Sequence, residues 1–165
     1  MLDELRDLYQ EVILDHGRNP RNFGAPAHHT CLAHGNNPMC GDRVTVYLTL
    51  DDAGVIQDAR FDGRGCAIST ASASMMTEIV KGMTLPQMER LFVRFHQLCT
   101  GGEAAGNKGG EAEGETSDAE DEALERLQVL SGVREFPVRV KCATLPWHTL
   151  KAAVSGAGDK EVTTE

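Results

Sequence analysis

Apolar and polar residues alternate strictly over positions 44–50, and this is the strongest structural signal in the sequence. Such a two-residue period is typical of a β-strand that buries one face. Residues 52–54 then supply a turn, and 55–61 predict a second strand, so the two strands should form a hairpin. The apolar members of the first strand are Val44, Val46, Leu48 and Leu50, and the polar members are Thr45, Tyr47 and Thr49.

The period changes elsewhere to three- and four-residue steps, which are typical of amphipathic helices. This pattern and its capping signals predict helices over 3–16, 67–82, 85–98, 118–130 and 143–154. The second of these is rich in Ala and Ser, whose small side chains permit close packing of backbones.

Two other segments complete the expected architecture. Residues 21–38, rich in Pro, Gly, Asn and His, are predicted to be irregular. Residues 136–141 predict a third extended segment, because Val138 and Val140 are in phase. A chain of 165 residues is the size of one domain. We therefore expect a single α+β domain over 1–165, in which a small antiparallel three-stranded sheet packs against several helices.

The acidic residues are concentrated in one part of the chain. Of 25 acidic residues in a protein of net charge −9, nine lie between positions 101 and 125, beside the single base Lys108. Residues 101–114 also hold six of the 17 glycines and no large apolar residue. We predict a mobile acidic insertion at about 101–117, and a frayed tail over 155–165.

Composition also excludes several classes of protein. The negative net charge disfavours binding to nucleic acid or to an anionic membrane surface. No apolar run is long enough for a membrane span, and the sequence MLDELRDLYQEV lacks the features of a signal peptide. The five cysteines are an odd number and predict reduced thiols in the cytoplasm rather than a disulfide framework.

Three of the five cysteines lie where extended segments begin or end. Cys40 lies in a turn before the first strand, Cys66 lies between the second strand and a helix, and Cys142 follows the third extended segment. Together with Asp42 they could meet at one edge of the sheet. Three thiolates and a carboxylate would suit a closed tetrahedral zinc site. The alternative is that the cysteines are small buried apolar residues and that Asp42 is a turn residue.

The remaining cysteines and histidines make weaker candidates. Cys31 and Cys99 are predicted to be spectators. His28, His29 and His34 are close in sequence, but they lack a helical or strand spacing that would direct them to one point.

Four segments carry a resemblance to a known family, and together they cover most of residues 8–154. They resemble, in order and spacing, the iron–sulfur-cluster assembly scaffold family (the IscU/NifU N-terminal fold), and are most similar to its SufU branch, which has its own insertion before the last cysteine. The segments are LYQEVILDHGRNPRNFG, NNPMCGDRVTVYL, FDGRGCAISTASASMMTEIVKGM and FPVRVKCATLPWHTLKAAV.

The resemblance implies a function and a site. It places Cys40, Asp42, Cys66 and Cys142 at the family's metal positions, with Zn²⁺ as the expected metal. Scaffold members have a histidine before the last cysteine, whereas this chain has Lys141, as the SufU branch does. A SufU-like protein would accept persulfide sulfur on Cys40 from a SufS-type cysteine desulfurase. It would activate that enzyme and supply a downstream iron–sulfur scaffold complex.

Two alternatives remain open at this point. The same four residues could bind iron or a [2Fe–2S] cluster, because thiolates suit zinc and iron alike. The chain would then be the scaffold on which the cluster is assembled and transferred. It could also be a structural zinc domain that only binds a partner.

Overall fold

The computed structural model describes residues 2–38, 41–100, 118–154 and 160–163. Within these ranges the chain forms an α+β fold in which antiparallel strands pack against helices, which confirms the predicted class. In chain order the elements are α1 (Leu2–Arg18), β1 (Cys31–Asn37), β2 (Asp42–Leu50), β3 (Ile56–Arg64), α2 (Ala67–Val80), α3 (Leu85–Thr100), α4 (Asp118–Leu127), a 3-10 helix (Gln128–Glu135), α5 (Pro137–Val154) and β4 (Lys160–Thr163).

The sheet has the strand order β3–β2–β1–β4. Strands β1, β2 and β3 are antiparallel neighbours, and β4 adds to β1 in parallel. Val46 on β2 lies opposite Ala33 on β1 and Phe61 on β3, and all three side chains are buried. The alternation that predicted β2 therefore marks its inner, helix-facing side. We call the opposite side of the sheet its outer face.

Strand β1 lies within 21–38, where we predicted irregular structure, so that prediction is wrong for Cys31–Asn37. The segment contains His, Gly and Asn, which are poor strand formers. Pairing with β2 and β4 and packing on α5 override this preference. Gly35 shows how close the packing is, because a Cβ there would lie 2.0 Å from Oγ1 of Thr149.

The extended segment predicted over 136–141 is also wrong, because α5 begins at Pro137 rather than near 143. Proline is favoured at the first position of a helix, where its missing N–H costs nothing. The backbone N–H groups of Arg139 and Val140 donate to the Phe136 carbonyl, which starts the first turn. The spacing of two residues between Val138 and Val140 matches the period of a strand, but both residues lie in the first turns of α5.

Helix α2 packs against both α1 and α5, and its small side chains make this possible. The Ser72 hydroxyl donates to the Ala143 carbonyl at 2.5 Å and accepts from Nε1 of Trp147 at 3.2 Å. Trp147 is fully buried, and its indole N–H is satisfied by this contact. The helix predicted over 118–130 is α4 followed by the 3-10 helix.

The acidic insertion and the C-terminal tail were the two segments predicted to lack stable structure. The acidic insertion at 101–117 lies outside the described residues. In the tail, Lys160–Thr163 form β4, where we predicted fraying, and the other residues of 155–165 are not described. Among the described residues, no helix combines the length and the apolar character needed to span a membrane.

Candidate metal centre

Three segments that are distant in sequence each contribute one donor group to a single point. Asp42 is the first residue of β2 and is fully buried, and Cys142 lies fully buried in α5. Cys66 is the N-cap residue of α2 and is half-buried. One carboxylate oxygen and the two Sγ atoms lie within 4.8 Å of one another. The group lies where β2 begins and β3 ends.

Hydrogen bonds fix the relative positions of Asp42 and Cys66. The backbone N–H of Cys66 donates to Oδ1 of Asp42 at 3.0 Å, and Sγ of Cys66 lies 4.0 Å from Oδ2. The backbone N–H of Ser69 donates to Sγ of Cys66 at 3.4 Å, as in an N-cap. The thiol is therefore held at the positive end of the α2 dipole, which favours its thiolate form.

Gly65 provides the space in which Asp42 approaches this helix end. A Cβ at residue 65 would lie 2.8 Å from Oδ1 of Asp42 and 3.2 Å from Oγ of Ser69. Because a side chain cannot approach a carboxylate oxygen this closely, only glycine fits without a shift. The sequence shows Gly63 and Gly65 before Cys66, but it does not reveal this steric requirement.

The surroundings of Cys66 favour its ionised form. A hydrogen bond from Cys142, supported by the backbone N–H groups of Ser69 and Ile68, lowers the pKa of Cys66 to about 6. Partial burial and the charge of Asp42 act in the opposite direction and raise the pKa. The hydrogen bonds outweigh these two effects, so the thiolate, which is the form of cysteine that binds metals, is favoured at neutral pH.

The donor set fits zinc. Two thiolates and a carboxylate are ordinary zinc ligands, and tetrahedral geometry with Zn–S of about 2.3 Å places the ligand atoms roughly 3.5–4 Å apart. The 4.8 Å limit on the three donor atoms is close to this spacing. Within the described part of the chain, no other group of three His, Cys, Asp or Glu donors converges in this way.

The other cysteines considered in the sequence analysis do not belong to the group of three donors in the described part of the chain. Cys40, the fourth predicted ligand, lies outside the described residues, and Lys141 is half-buried beside Cys142 on α5. Cys31 is half-buried on β1, where burial raises the pKa of its thiol. Cys99 is fully buried in the core on α3.

The three clustered histidines are separate from the metal group. His34 lies exposed on β1, and its Nδ1 atom lies 2.9 Å from Oγ1 of Thr45. The ring of His29 lies edge-on to Tyr47, with 5.5 Å between the ring centroids. Neither histidine belongs to the group formed by Asp42, Cys66 and Cys142.

An apolar groove of about 570 Å³ opens beside Cys66. It lies between α1, the start of α2, the 3-10 helix and the start of α5. Its apolar lining includes Ile13, Ile68, Val133 and Phe136, and the last of these is 59% exposed. The half-buried thiol is therefore accessible from one side, whereas the thiol of Cys142 is fully enclosed.

More than half of the chain matches a known protein family. Residues 8–102 match the family described as the NifU-like N-terminal domain. The chain belongs to this family. The match includes Cys40, Asp42 and Cys66, and it ends at residue 102, where the acidic insertion begins.

Two relatives of the NifU-like chain are similar over almost its whole length. The zinc-dependent sulfurtransferase SufU of Bacillus subtilis is 38% identical over 92% of each chain. The iron–sulfur cluster assembly scaffold protein IscU of Thermotoga maritima is 34% identical over 89% of this chain and 92% of its own.

A solved structure shares the fold of this family member. It is a protein from Fervidobacterium islandicum assigned provisionally as an iron–sulfur cluster assembly scaffold protein for the SUF system. Its TM-score is 0.72 with 30% identity, over 87% of this chain and 94% of that one. The resemblance to iron–sulfur assembly proteins, including the SufU branch, is thereby confirmed.

Proposed function

We propose that this chain is a zinc-dependent sulfur-transfer protein for iron–sulfur cluster biogenesis in the cytoplasm. In this proposal Cys40, Asp42, Cys66 and Cys142 hold Zn²⁺, and Cys40 accepts persulfide sulfur from a SufS-type cysteine desulfurase. The protein acts as an acceptor and activator of that enzyme and passes sulfur to a downstream scaffold complex.

The observation that carries this proposal is the convergence of Asp42, Cys66 and Cys142 from three separate segments. A fully buried carboxylate such as that of Asp42 is costly to enclose unless a cation or hydrogen-bond donors bind it. Cys40 comes two residues before Asp42 in the sequence, and two residues of chain span at most about 7 Å. Similarity to the zinc-dependent sulfurtransferase SufU supports zinc and sulfur transfer, and Lys141 in place of histidine supports the SufU branch.

The chemistry requires a thiolate on this chain and a persulfide on the partner. Bound zinc would keep its thiol ligands deprotonated at neutral pH. The Cys40 thiolate attacks the outer sulfur of the partner's persulfide and forms a new S–S bond. The original S–S bond breaks, and the partner's cysteine leaves as a thiolate, so that no external oxidant or reductant is needed.

The experiment is to incubate the protein with the desulfurase and L-cysteine and to locate the persulfide by mass spectrometry. We expect persulfide on Cys40 and activation of the desulfurase, both of which Cys40→Ser abolishes. Cys31→Ser is the matched control, and it should keep full activation because it leaves all four proposed ligands in place. Persulfide mainly on Cys66 or Cys142, or full activation by Cys40→Ser, would contradict the proposal.

A second candidate is the assembly and transfer of a [2Fe–2S] cluster by the same residues. It is supported by similarity to the scaffold protein IscU of Thermotoga maritima and by the suitability of thiolates for iron. Metal analysis of protein purified without oxygen distinguishes the two. Stoichiometric zinc with no iron supports sulfur transfer, whereas iron and inorganic sulfide in equal amounts support the scaffold.

A further inference from the structure

The outer face of the sheet carries a row of charged residues along β3, and most of them have partners on this chain. Each partner is a backbone carbonyl, a hydroxyl or an opposite charge. The contacts are Arg60 to the Phe23 and Gly24 carbonyls at 3.0 Å, Tyr47 Oη to Asp62 at 2.9 Å, and Lys81 to Asp58 at 3.4 Å.

Arg43 and Arg64 depart from this arrangement. They lie directly opposite each other on β2 and β3, and both are exposed. Neither forms an ion pair with a residue in the described ranges; the nearest acid along this face of β3 is Asp62, which accepts from Tyr47. Like charges directly opposite across a sheet are destabilising. Folding alone therefore gives no reason for this arginine pair, and such local conflicts often mark functional positions.

The arginine pair lies beside the candidate metal centre. Arg43 follows Asp42 directly, and Arg64 comes two residues before Cys66, so the pair is on the outer face where the metal group meets the end of the sheet. A polar cavity of about 360 Å³ adjoins Arg43, and its lining includes His34, Asn36, Thr45 and Gly63. Cationic side chains and a polar recess thus occur together next to the site.

We propose that the arginine pair and its cavity dock an acidic segment of the protein partner that brings sulfur to the site. This inference rests on the proposed function, because it assigns a surface to that partner. An arginine guanidinium binds a carboxylate through two parallel hydrogen bonds, and two adjacent guanidinium groups match neighbouring Asp or Glu side chains. Carboxylates from the partner would also remove the repulsion between the two arginines.

A protein carboxylate fits this surface better than a nucleic acid does. Two exposed arginines on a chain of net charge −9 do not make the extended basic footprint that a phosphate backbone requires. Both guanidinium groups are exposed, and a small free anion would be held there only weakly against water. A partner segment that other contacts already position at the metal centre can bind here with low intrinsic affinity, because its effective concentration is high.

The test compares the double variant Arg43→Gln/Arg64→Gln with Arg94→Gln at two steps. Arg94→Gln is the control, because it removes a half-buried guanidinium whose ion pair, within the part of the chain that the structure describes, is with Asp121 on the distant α4. We expect the double variant to raise the Kd for the desulfurase about 10-fold and to weaken its salt dependence. Its persulfide yield at saturating desulfurase and its zinc content should stay at wild-type values, and Arg94→Gln should match the wild type throughout.

Arg64→Glu adds a readout that a structural role would not produce. A glutamate at 64 faces Arg43 and converts a repulsive pair into an attractive one. We therefore expect a higher Tm at low salt together with weaker binding to the desulfurase. A lower Tm, or a double variant that binds the desulfurase as tightly as the wild type, would overturn the docking proposal.

A direct probe separates this proposal from the proposed function. A fluorescent Glu-Gly repeat peptide, a single-stranded oligonucleotide and inorganic phosphate are titrated at low salt onto the wild type and the double variant. If the wild type binds the peptide and the double variant does not, the docking proposal is supported, whether or not the desulfurase transfers sulfur. A failure of sulfur transfer would then contradict only the proposed function. Preference for the oligonucleotide or for phosphate, or no peptide binding, overturns the docking proposal.

Discussion

The backbone N–H of Cys66 donates a 3.0 Å hydrogen bond to Oδ1 of Asp42, and this bond joins the N-terminus of α2 to the first residue of β2. The same carboxylate has its second oxygen 4.0 Å from Sγ of Cys66. Asp42 thus positions a thiol and offers a donor of its own at one point. The geometry of the site therefore depends on the close approach of the α2 backbone to Asp42 as well as on the donor side chains.

Gly65→Ala should disturb the metal centre without removing any ligand. Its Cβ would lie 2.8 Å from Oδ1 of Asp42, so either the carboxylate or the start of α2 must shift. We expect a stability loss of about 1–3 kcal/mol, as for overpacking elsewhere, and a clear loss of bound zinc by elemental analysis. Gly132→Ala is the control, because a Cβ there meets nothing within 4 Å. Wild-type zinc in Gly65→Ala would show that the carboxylate is free to relax.

Cys66→Ser and Cys142→Ser should each lose zinc and lower the Tm. The proposed ligands come from separate segments, so metal binding links α2, α5 and β2, and structural zinc contributes on the order of 10 kcal/mol in small domains. The measurements are zinc content and thermal unfolding with and without a chelator. Cys31→Ser, a half-buried thiol away from the group, should keep both properties. Full zinc content and an unchanged Tm in either variant would show that the replaced cysteine is not a zinc ligand.

Hydrophobic periodicity and capping residues were enough to predict the elements whose structure depends mainly on nearby sequence. The alternation along 44–50 predicted β2 correctly. The helix predicted over 85–98 is α3, and Thr84 and Gln87 form a capping box at its start, with the Gln87 backbone N–H donating to Oγ1 of Thr84 at 3.3 Å. Strand β1 could not be found in this way. Its sequence favours no strand, and its structure depends on β2, β4 and the close approach of Gly35 to Thr149 on α5.

The candidate site was predictable to a different extent. Spacing alone left Asp42, Cys66 and Cys142 as either ligands or ordinary buried residues, and the family resemblance selected them. The details that hold the site are properties of the folded backbone: the space at Gly65 and the N–H groups directed at Asp42 and Cys66. The opposition of Arg43 and Arg64 likewise depends on the strand register, which becomes visible only in the sheet.

Deletion of residues 103–116 with a short Gly-Ser linker should leave the fold and the zinc content intact. Helix α4 is held to α3 by its own contacts, because the buried carboxylate of Glu120 accepts from Nε and Nη2 of Arg90 at 3.2 and 2.7 Å. The measurements are circular dichroism, Tm and zinc content. As a contrast, Arg90→Ala should cost roughly 1–3 kcal/mol, because it removes two hydrogen bonds from a buried carboxylate. An unfolded or metal-free deletion variant would show that the acidic segment is structural.

His16 should make the stability of the fold depend on pH. Its buried ring lies with Nδ1 2.7 Å from Oγ of Ser74, and that oxygen also accepts from the backbone N–H of Arg21 at 2.9 Å. The Ser74 hydroxyl can therefore donate to a neutral His16. Burial, followed by the charge of Arg21, lowers the pKa of His16 below its ordinary value of 6.5.

The sign of the effect follows from this lowered pKa. An unfolded chain protonates His16 near pH 6.5, whereas the folded chain resists protonation until lower pH, so acid favours unfolding. The contribution of His16 is complete above the unfolded pKa and is lost as the pH falls through the folded one. Urea unfolding near pH 7.5 and near pH 5.5 should show a larger loss of unfolding free energy in the wild type than in His16→Gln. The glutamine can still reach Ser74 but does not titrate, and all other titrating groups are common to both proteins. Equal losses in the two proteins would mean that His16 accepts a proton in the fold as readily as in the unfolded chain.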